Sequence, residues 1–258
     1  MLYRKLRNFM PFRQKLALRI AATGSNLCVG LDVRAKAADE TTKRWIIQVI
    51  EETAAYAAAF KPNSAYFEAL GWQGMRMLQQ VLKEIPKDIP IIFDVKRGDI
   101  GETQAYYAKA CFEEFDVDAV TLNPYMGRDT LEPFLKYKDK GLYLLGVTSN
   151  PGAVDIELKK AGRKHVYEIV ADMTSASPQV GMVVGLTNAS KDVLKRIPDV
   201  PLLVPGLGAQ GGDLDALKGS KRNAPMLVNV SRGILYADEN IPFASKAKMW
   251  MEKIASSL

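Results

Sequence analysis

The sequence contains few of the residues that most often hold metal ions or form nucleophilic triads. Histidine occurs once in 258 residues, as His165, so histidine-based metal sites and Ser-His-Asp triads are poor explanations of function. Cysteine occurs twice, and Cys28 and Cys111 lie in apolar stretches without the spacing of metal ligands. We therefore expect buried free thiols, a reducing and hence cytoplasmic location, and no bound metal.

The sequence also lacks long apolar runs, and its first 31 residues lack acidic residues. No run approaches the ~20 residues that a membrane-spanning helix needs, so we expect no membrane partner. Residues 1–31 contain no acid but six bases, namely Arg4, Lys5, Arg7, Arg13, Lys15 and Arg19. These six equal the net charge of +6, so the remainder is balanced and lacks the one-sign stripe typical of nucleic-acid binding.

The basic N-terminus has two interpretations. An arginine-rich, acid-free start is typical of a transit peptide. However, Phe12, Leu16 and Ile20 recur at four-residue spacing, which is the period of one helix face. We favour a leading helix.

Apolar runs recur along the chain with a regular rhythm. They predict eight strands, at residues 27–33, 59–63, 89–96, 119–125, 142–149, 180–187, 202–206 and 226–231. Each strand is followed by a predicted helix, at residues 42–58, 72–84, 103–115, 128–137, 162–174, 190–196, 213–218 and 243–256. The strands are near-continuous apolar runs, as parallel strands covered on both faces should be. Eight equal units favour an α/β fold of the (β/α)8 TIM-barrel type, with an extra N-terminal helix, over a doubly wound sheet.

No linker or low-complexity stretch divides the chain, so we expect one barrel domain over residues 1–258. The longest irregular piece, residues 150–163, is predicted to be a mobile loop over the barrel mouth.

Charged residues collect at the predicted carboxyl ends of the first three strands. Because barrel active sites lie at that end, Asp32, Lys61, Asp94, Lys96 and Asp99 should form an alternating charge array at one rim. A purely structural alternative is a ring of salt bridges that connects the strand ends. Burying ions costs several kcal/mol each unless they are fully paired, so an array that holds a further anion is the better explanation. A lysine between carboxylates stays protonated and can donate a proton.

A glycine-rich loop follows the seventh predicted strand. Residues 206–211 fit G-x-G-x-x-G, but too little chain follows for a dinucleotide-binding fold. Loops after strands seven and eight of such barrels commonly bind phosphate, and Arg232 beside Gly233 would supply a forked donor. A surface arginine at a turn is the alternative. The residues alone thus suggest a phosphorylated small ligand whose reacting part lies over Asp94 and Lys96.

The stretch from Asp94 to Thr103 resembles the D-x-K-R-x-D-I-x-x-T signature of orotidine 5′-phosphate decarboxylase. Further stretches match in the same order, at residues 31–34, 60–63, 122–127, 205–212 and 231–234. The loop lengths and the Leu-Asn-Pro-Tyr motif resemble the type 2 branch, and the likeness covers about residues 12–255. The central signature is specific, whereas the glycine loop alone would not be.

The resemblance implies a carboxy-lyase of pyrimidine biosynthesis that converts orotidine 5′-monophosphate to uridine 5′-monophosphate (UMP) and carbon dioxide. It implies no metal and no organic cofactor. By this resemblance Asp94 would face the substrate carboxylate and Lys96 would protonate C6. Lys61 and Asp32 would bind the ribose hydroxyls and complete the charge chain.

The resemblance also implies a homodimer with shared active sites. Asp99, Ile100 and Thr103 would reach into the partner's site. There Asp99, which counts among the catalytic residues, and Thr103 would hold the other ribose hydroxyl, and Ile100 would also bind substrate. The remaining implied substrate-binding residues lie on later strand ends, namely Asn123, Ser149, Pro205, Gln210 and Arg232. Among these, Ser149 would bind the pyrimidine, Gln210 would bridge base and phosphate, and Arg232 would bind phosphate.

Two rival functions come from different classes. A magnesium-dependent sugar-phosphate decarboxylase or aldolase of the same superfamily shares the D-x-K-x-x-D core, but residues 97–100 and Gln210 favour the orotidine enzyme. A catalytically silent nucleotide-binding protein is disfavoured by the intact Asp-Lys-Asp array.

Overall fold

The computed structural model describes residues 10–205, 214–218 and 222–258. Within them, eight parallel strands form one sheet: β1 Leu27–Leu31, β2 Ala59–Pro62, β3 Ile92–Arg97, β4 Ala119–Leu122, β5 Gly141–Val147, β6 Val180–Val184, β7 Leu202–Val204 and β8 Met226–Val230. Their hydrogen-bonded order is β2-β1-β8-β7-β6-β5-β4-β3. Parallel bridges from Phe60 to Ile91 and from Asn63 to Asp94 join β2 to β3 and close the barrel. The (β/α)8 prediction is confirmed.

Ten α-helices lie among the described residues: α1 Phe12–Thr23, α2 Glu40–Thr53, α3 Ser64–Glu68, α4 Gly71–Val81, α5 Gly101–Lys109, α6 Glu132–Leu135, α7 Val166–Met173, α8 Lys191–Arg196, α9 Arg232–Leu235 and α10 Phe243–Ala255. Apolar residues on the outer faces of the strands and the inner faces of the helices form one core layer. A second, smaller cluster fills the barrel interior. Strands covered on both faces must be apolar throughout, which explains their continuous apolar runs.

The leading helix α1 closes the amino-terminal end of the barrel. Phe12 and Leu16 are buried in the interior cluster, and the Phe12 ring meets Tyr143 edge-on with 5.9 Å between ring centroids. Gly141 leaves room for that ring, because a Cβ there would lie 2.1 Å from Phe12 Cδ1. The interpretation of this segment as a helix is confirmed.

The predicted helix over residues 162–174 is wrong at its start. Lys160–Ala161 pairs antiparallel with Lys164–His165, and Gly162 turns between them with φ of +68°. The helix begins only at Val166. Its start is capped by Glu168, whose carboxylate accepts a hydrogen bond from the His165 amide. Glycine favours such a turn because it lacks a Cβ. The predicted loop at 150–163 likewise contains a 3₁₀ turn, Pro151–Asp155, and the first strand of this hairpin.

Other differences lie at element ends. The predicted helix over 72–84 is preceded by a separate short helix, α3, because Asn63 caps it and Gly71, with φ of +66°, starts α4 in a new direction. The predicted helix to residue 115 becomes a π-helix at Ala110–Glu114. In 128–137 the chain begins as a 3₁₀ helix, Arg128–Leu131, and in 213–218 the described part holds the 3₁₀ turn Leu214–Ala216. The short helix α9 was not predicted.

Both cysteines are buried free thiols, as expected. Burial raises the pKa of each to about 12. No helix in the described part of the chain is both long and apolar enough to cross a membrane.

Candidate active site

The open end of the barrel holds a cavity of about 1010 Å³. Successive residues of a strand point to opposite faces, so alternate positions of each strand face the barrel axis. The layer that floors the cavity consists of such positions on β2 to β8, namely Lys61, Asp94, Thr121, Leu145, Val183, Leu203 and Asn229. On β1 the matching position is Gly30, which pairs with Lys61 in the ladder. Each barrel strand therefore contributes one residue to this layer.

Three charged side chains form a continuous chain across β2 and β3. Lys61 Nζ donates to Asp94 Oδ2 at 2.8 Å, and Lys96 Nζ donates to Asp94 Oδ1 at 2.6 Å. The side chains of Lys61 and Asp94 are only 5% and 10% exposed, whereas that of Lys96 is 49% exposed and faces the cavity. Both Asp94 oxygens are engaged by ammonium groups, and the half-exposed Lys96 is the ammonium group that a further anion in the cavity can reach.

These neighbours reverse the effect of burial on the titrating groups. Burial alone would raise the pKa of Asp94, but the charges of Lys61 and Lys96 outweigh it and hold the pKa well below its usual range. Burial alone would lower the pKa of Lys61, but Asp94 and then Asp32 outweigh it and raise the pKa. Asp94 is therefore ionised and Lys61 protonated at neutral pH.

The strand that carries Asp94 and Lys96, β3, is irregular between Phe93 and Arg97. Phe93 pairs with Val120, but the next pair in the β3–β4 ladder is Arg97 with Leu122, so β3 bulges. Lys96 sits in this bulge with φ of +45°, in the left-handed region. That conformation is uncommon for a residue with a Cβ and clusters at functional sites. Asp94 and Lys96 both line the cavity, one on each side of Val95 within the bulge.

Three buried oxygens beside the array lack hydrogen-bond partners among the described residues. They are Asp32 Oδ1, Asn229 Oδ1 and Ser231 Oγ, and all three residues line the cavity. Asp32 itself is fixed through its backbone oxygen, which accepts from the Tyr236 hydroxyl at 3.0 Å. Buried polar atoms are nearly always hydrogen-bonded, so these oxygens mark a place where donors of a ligand or of water bind.

Residues that follow β4, β5, β7 and β8 also line the cavity, namely Asn123, Ser149, Pro205 and Arg232. Their predicted roles in substrate binding stay predictions. Arg232 is exposed and begins α9, whereas Asn123 accepts a hydrogen bond from the Tyr125 amide at 3.0 Å. Glu157 anchors the segment after β5, because its carboxylate accepts from both the amide and the hydroxyl of Thr148.

Gln210 and the glycine-rich stretch 206–212 lie outside the described residues, so their predicted roles stay predictions. His165 contacts Glu168 at 2.7 Å and is not among the residues lining the cavity. In the described part of the chain no group of His, Cys, Asp or Glu is arranged to hold a metal ion.

The second half of the signature is not part of the cavity lining. Asp99, Ile100 and Thr103 do not line the cavity that the described residues enclose. Ile100 is 61% exposed, Thr103 is exposed, and Asp99 Oδ1 accepts from the Ile100 amide at 2.8 Å. Asp99 lies beyond the end of β3, where the chain turns into α5, and does not line the cavity of its own chain, so its predicted role in a partner's site stays a prediction.

Several polar residues that line the cavity are not among the predicted site residues, for example Thr121, Asn229, Asn63 and Ser231. Each is a polar residue at an inward-facing position of an otherwise apolar strand or just after it. The signal was therefore present as a break in an apolar run, but it was read only for charged residues. Asn63 also accepts from the Ala65 amide at 3.1 Å and so caps α3.

Comparison with known proteins gives a consistent result. Residues 25–247 match the model of the orotidine 5′-phosphate decarboxylase / HUMPS family. The chain is 40% identical to an orotidine 5′-phosphate decarboxylase of Dehalococcoides mccartyi, over 96% of this chain and 97% of that one. It is 41% identical to the enzyme of that name from Roseiflexus sp., over 93% and 94% of the two chains.

Solved structures agree. The OMP decarboxylase of Leishmania donovani superposes with a TM-score of 0.87 at 38% identity, over 96% of this chain and 99% of that one. The UMP synthase of the same organism gives a TM-score of 0.89 at 40% identity, and the match covers 96% of this chain and 56% of that longer chain.

Proposed function

This chain belongs to the orotidine 5′-phosphate decarboxylase / HUMPS family, and from that membership we propose a mechanism in which its Lys61, Asp94 and Lys96 carry the reaction. The activity is that of a carboxy-lyase, which converts orotidine 5′-monophosphate to UMP and carbon dioxide. A magnesium-dependent sugar-phosphate enzyme of the same superfamily is not favoured, since the relatives described above are named orotidine decarboxylases.

The observation that carries the mechanism is the array of two ammonium groups on one buried carboxylate. A substrate carboxylate placed beside Asp94 is repelled by it in the ground state, and the repulsion ends when carbon dioxide departs. Such destabilisation contributes only if the rest of the substrate holds the base in place. A phosphate bound far from C6 provides that hold.

Lys96 completes the reaction. When the bond from C6 to the carboxylate breaks, its electron pair stays on C6, and the nearby Lys96 ammonium stabilises the developing charge. Lys96 then transfers a proton from Nζ to C6 and later regains one from solvent. Its side chain suits this role, because it is half-exposed toward the cavity while Asp94 fixes its Nζ at 2.6 Å.

The remaining cavity residues are proposed to bind the nucleotide. Lys61 and Asp32 would hold the ribose hydroxyls, which explains why a buried Asp32 oxygen lacks a partner in the described residues. Ser149 and Asn123 would contact the pyrimidine. At the phosphate end, Arg232 and Pro205 would act together with Gln210, and arginine gives a phosphate two parallel donors.

We further propose a homodimer in which each copy completes the other's site. Asp99, Ile100 and Thr103 are placed at the surface beside the cavity-forming strand but do not line the cavity. Ile100 is exposed, as are Tyr106 on α5 and Tyr125 and Met126 in the turn after β4. Exposed apolar surface of this kind is typical of an interface. A second copy seated there would bring its Asp99 and Thr103 to the ribose and would cover this surface.

Two broader proposals accompany the mechanism. The whole of residues 1–258 is proposed to form one (β/α)8-barrel decarboxylase domain. A cytoplasmic location is supported by the two buried free thiols, which are usual for proteins kept under reducing conditions.

The function is tested by following the ultraviolet absorbance of orotidine 5′-monophosphate with purified protein in the presence of EDTA. We expect full activity, because the mechanism uses only the ammonium and carboxylate groups of the protein. Activity that disappears with EDTA and returns with magnesium would instead support the sugar-phosphate enzyme. No decarboxylation under either condition would contradict the proposed function.

A further inference from the structure

Thr121 is an uncharged residue that contacts the charge array of Lys61, Asp94 and Lys96. Its side chain belongs to β4 and faces the barrel axis, where the residue is 1% exposed. The hydroxyl donates to Asp94 Oδ1 at 2.8 Å. Thr121 Oγ1 also accepts hydrogen bonds from the backbone amides of Val95 at 3.1 Å and of Lys96 at 3.0 Å. One side chain thus makes three hydrogen bonds to three consecutive residues of β3.

These contacts replace the part of the β3–β4 ladder that the bulge removes. The ladder skips from the pair Phe93–Val120 to the pair Arg97–Leu122, so the amides between them lose their regular partners. Buried amides need a hydrogen-bond acceptor. The Thr121 oxygen supplies one acceptor for two of them and thereby supports Lys96 in its left-handed conformation.

We propose that Thr121 is a positioning residue that holds Asp94 and Lys96 as one rigid unit for the decarboxylation. Its proton fixes the rotation of the Asp94 carboxylate, on the same oxygen that binds Lys96 Nζ. Its lone pairs fix the backbone turn from which the Lys96 side chain departs. The inference rests on the proposed function, since it concerns the proton donor of that reaction. It adds that Thr121, on the neighbouring strand β4, orients the Lys96 side chain.

The geometry requires a hydroxyl group at position 121. Serine could make the same three hydrogen bonds, whereas valine has the same shape but neither donates nor accepts. Valine would leave two buried amides without an acceptor and one Asp94 lone pair without a donor. The expected consequence is a shift of Lys96 relative to Asp94, and a displacement of about 1 Å at a reacting group costs roughly 100-fold in rate.

The test compares Thr121→Val with Thr121→Ser and with the matched control Thr53→Val. Thr53 is also buried, and its hydroxyl donates to Val49 O at 2.7 Å within α2, away from the cavity. We expect Thr121→Val to lower kcat about 100-fold with little change in KM or in UMP affinity measured by calorimetry. Thr121→Ser should retain kcat within about threefold of wild type, and Thr53→Val should lose stability but keep its kcat. If Thr121→Val does not fold, Thr121→Cys is assayed with the same expectation, because a thiol is a weak donor and acceptor.

Three results would overturn the inference: a normal kcat in Thr121→Val, an equal loss in Thr121→Ser, or an equal loss in Thr53→Val. A wild-type protein that does not decarboxylate orotidine 5′-monophosphate would contradict the proposed function instead. Positioning is then still tested by a crystal structure of Thr121→Val. It should show the hydrogen bond between Lys96 and Asp94 broken or Lys96 out of its left-handed conformation, and an unchanged array would refute it.

Discussion

Replacing Lys61 by methionine should destabilise the protein by about 3 kcal/mol, because it leaves the buried Asp94 carboxylate with one ammonium group fewer. Methionine keeps most of the apolar stem of lysine and removes the charge. Breaking a buried ion pair by deleting one partner costs roughly 3–5 kcal/mol. Asp94 keeps its contacts with Lys96 at 2.6 Å and Thr121 at 2.8 Å, which places the expected value at the low end.

Lys43→Met provides the matched control. Lys43 Nζ also lies 2.8 Å from a carboxylate oxygen, that of Glu40, but the Glu40 side chain is 69% exposed. Exposed pairs of this spacing contribute roughly 0.3–0.5 kcal/mol. The two variants therefore separate the effect of burial from that of distance. Urea unfolding at pH 7 measures both free energies of unfolding on the same instrument.

The cost of Lys61→Met should also depend on pH. Lys61 and Lys96 outweigh burial and hold the pKa of Asp94 below its usual range. A carboxyl group with a lowered folded pKa contributes stability above its unfolded pKa of about 3.9 and loses it as the pH falls further. The difference between wild type and Lys61→Met should thus be largest near neutrality and shrink below about pH 4. A cost no larger than that of Lys43→Met, at every pH, would refute the claim that Asp94 depends on Lys61.

Three further predictions concern the rest of the site. Asp94→Ala and Asp99→Ala, each inactive alone, should regain decarboxylase activity on mixing, because a mixed dimer contains one site with both residues intact; no recovery despite demonstrated subunit exchange would contradict shared sites. Arg232→Gln should raise KM about 10- to 100-fold with a smaller effect on kcat in steady-state assays, since a hydrogen bond to a charged group is worth roughly 1.5–3 kcal/mol. Gly30→Ala should lower kcat/KM in the same assay, because the new Cβ would lie 2.8 Å from Ser231 Cβ and displace the end of β8. An unchanged kcat/KM would contradict the need for glycine at this position.

Much of the barrel could be predicted because its strands are buried on both faces. The eight apolar runs stand out from the amphipathic helices between them, and the order of strands in a barrel follows the order in the chain. The hairpin at Lys160–Ala161 and Lys164–His165 could not be predicted in this way. Its strand residues are exposed or half-exposed and form no apolar run, so hydrophobic periodicity gives no signal for it.

The charged part of the site was predictable for a related reason. Lys61, Asp94 and Lys96 interrupt apolar strands at a cost that a stable core alone does not explain. Thr121 was missed because a single threonine in a strand is ordinary, and its role becomes visible only with the register shift in β3. Asp99 follows Lys96 closely in sequence, but it lies between the end of β3 and the start of α5 and does not line the cavity of its own chain. Periodicity alone does not separate it from Asp94 and Lys96.

The central claim is that Lys96 supplies the proton to C6, and the turnover of Lys96→Ala tests it most directly. The variant is assayed at saturating orotidine 5′-monophosphate by ultraviolet absorbance, with UMP binding measured in parallel by calorimetry. We predict a loss of at least about 10⁴-fold in kcat, because proton donation and electrostatic stabilisation disappear together, while UMP still binds. Near-normal decarboxylation by this variant would contradict the account.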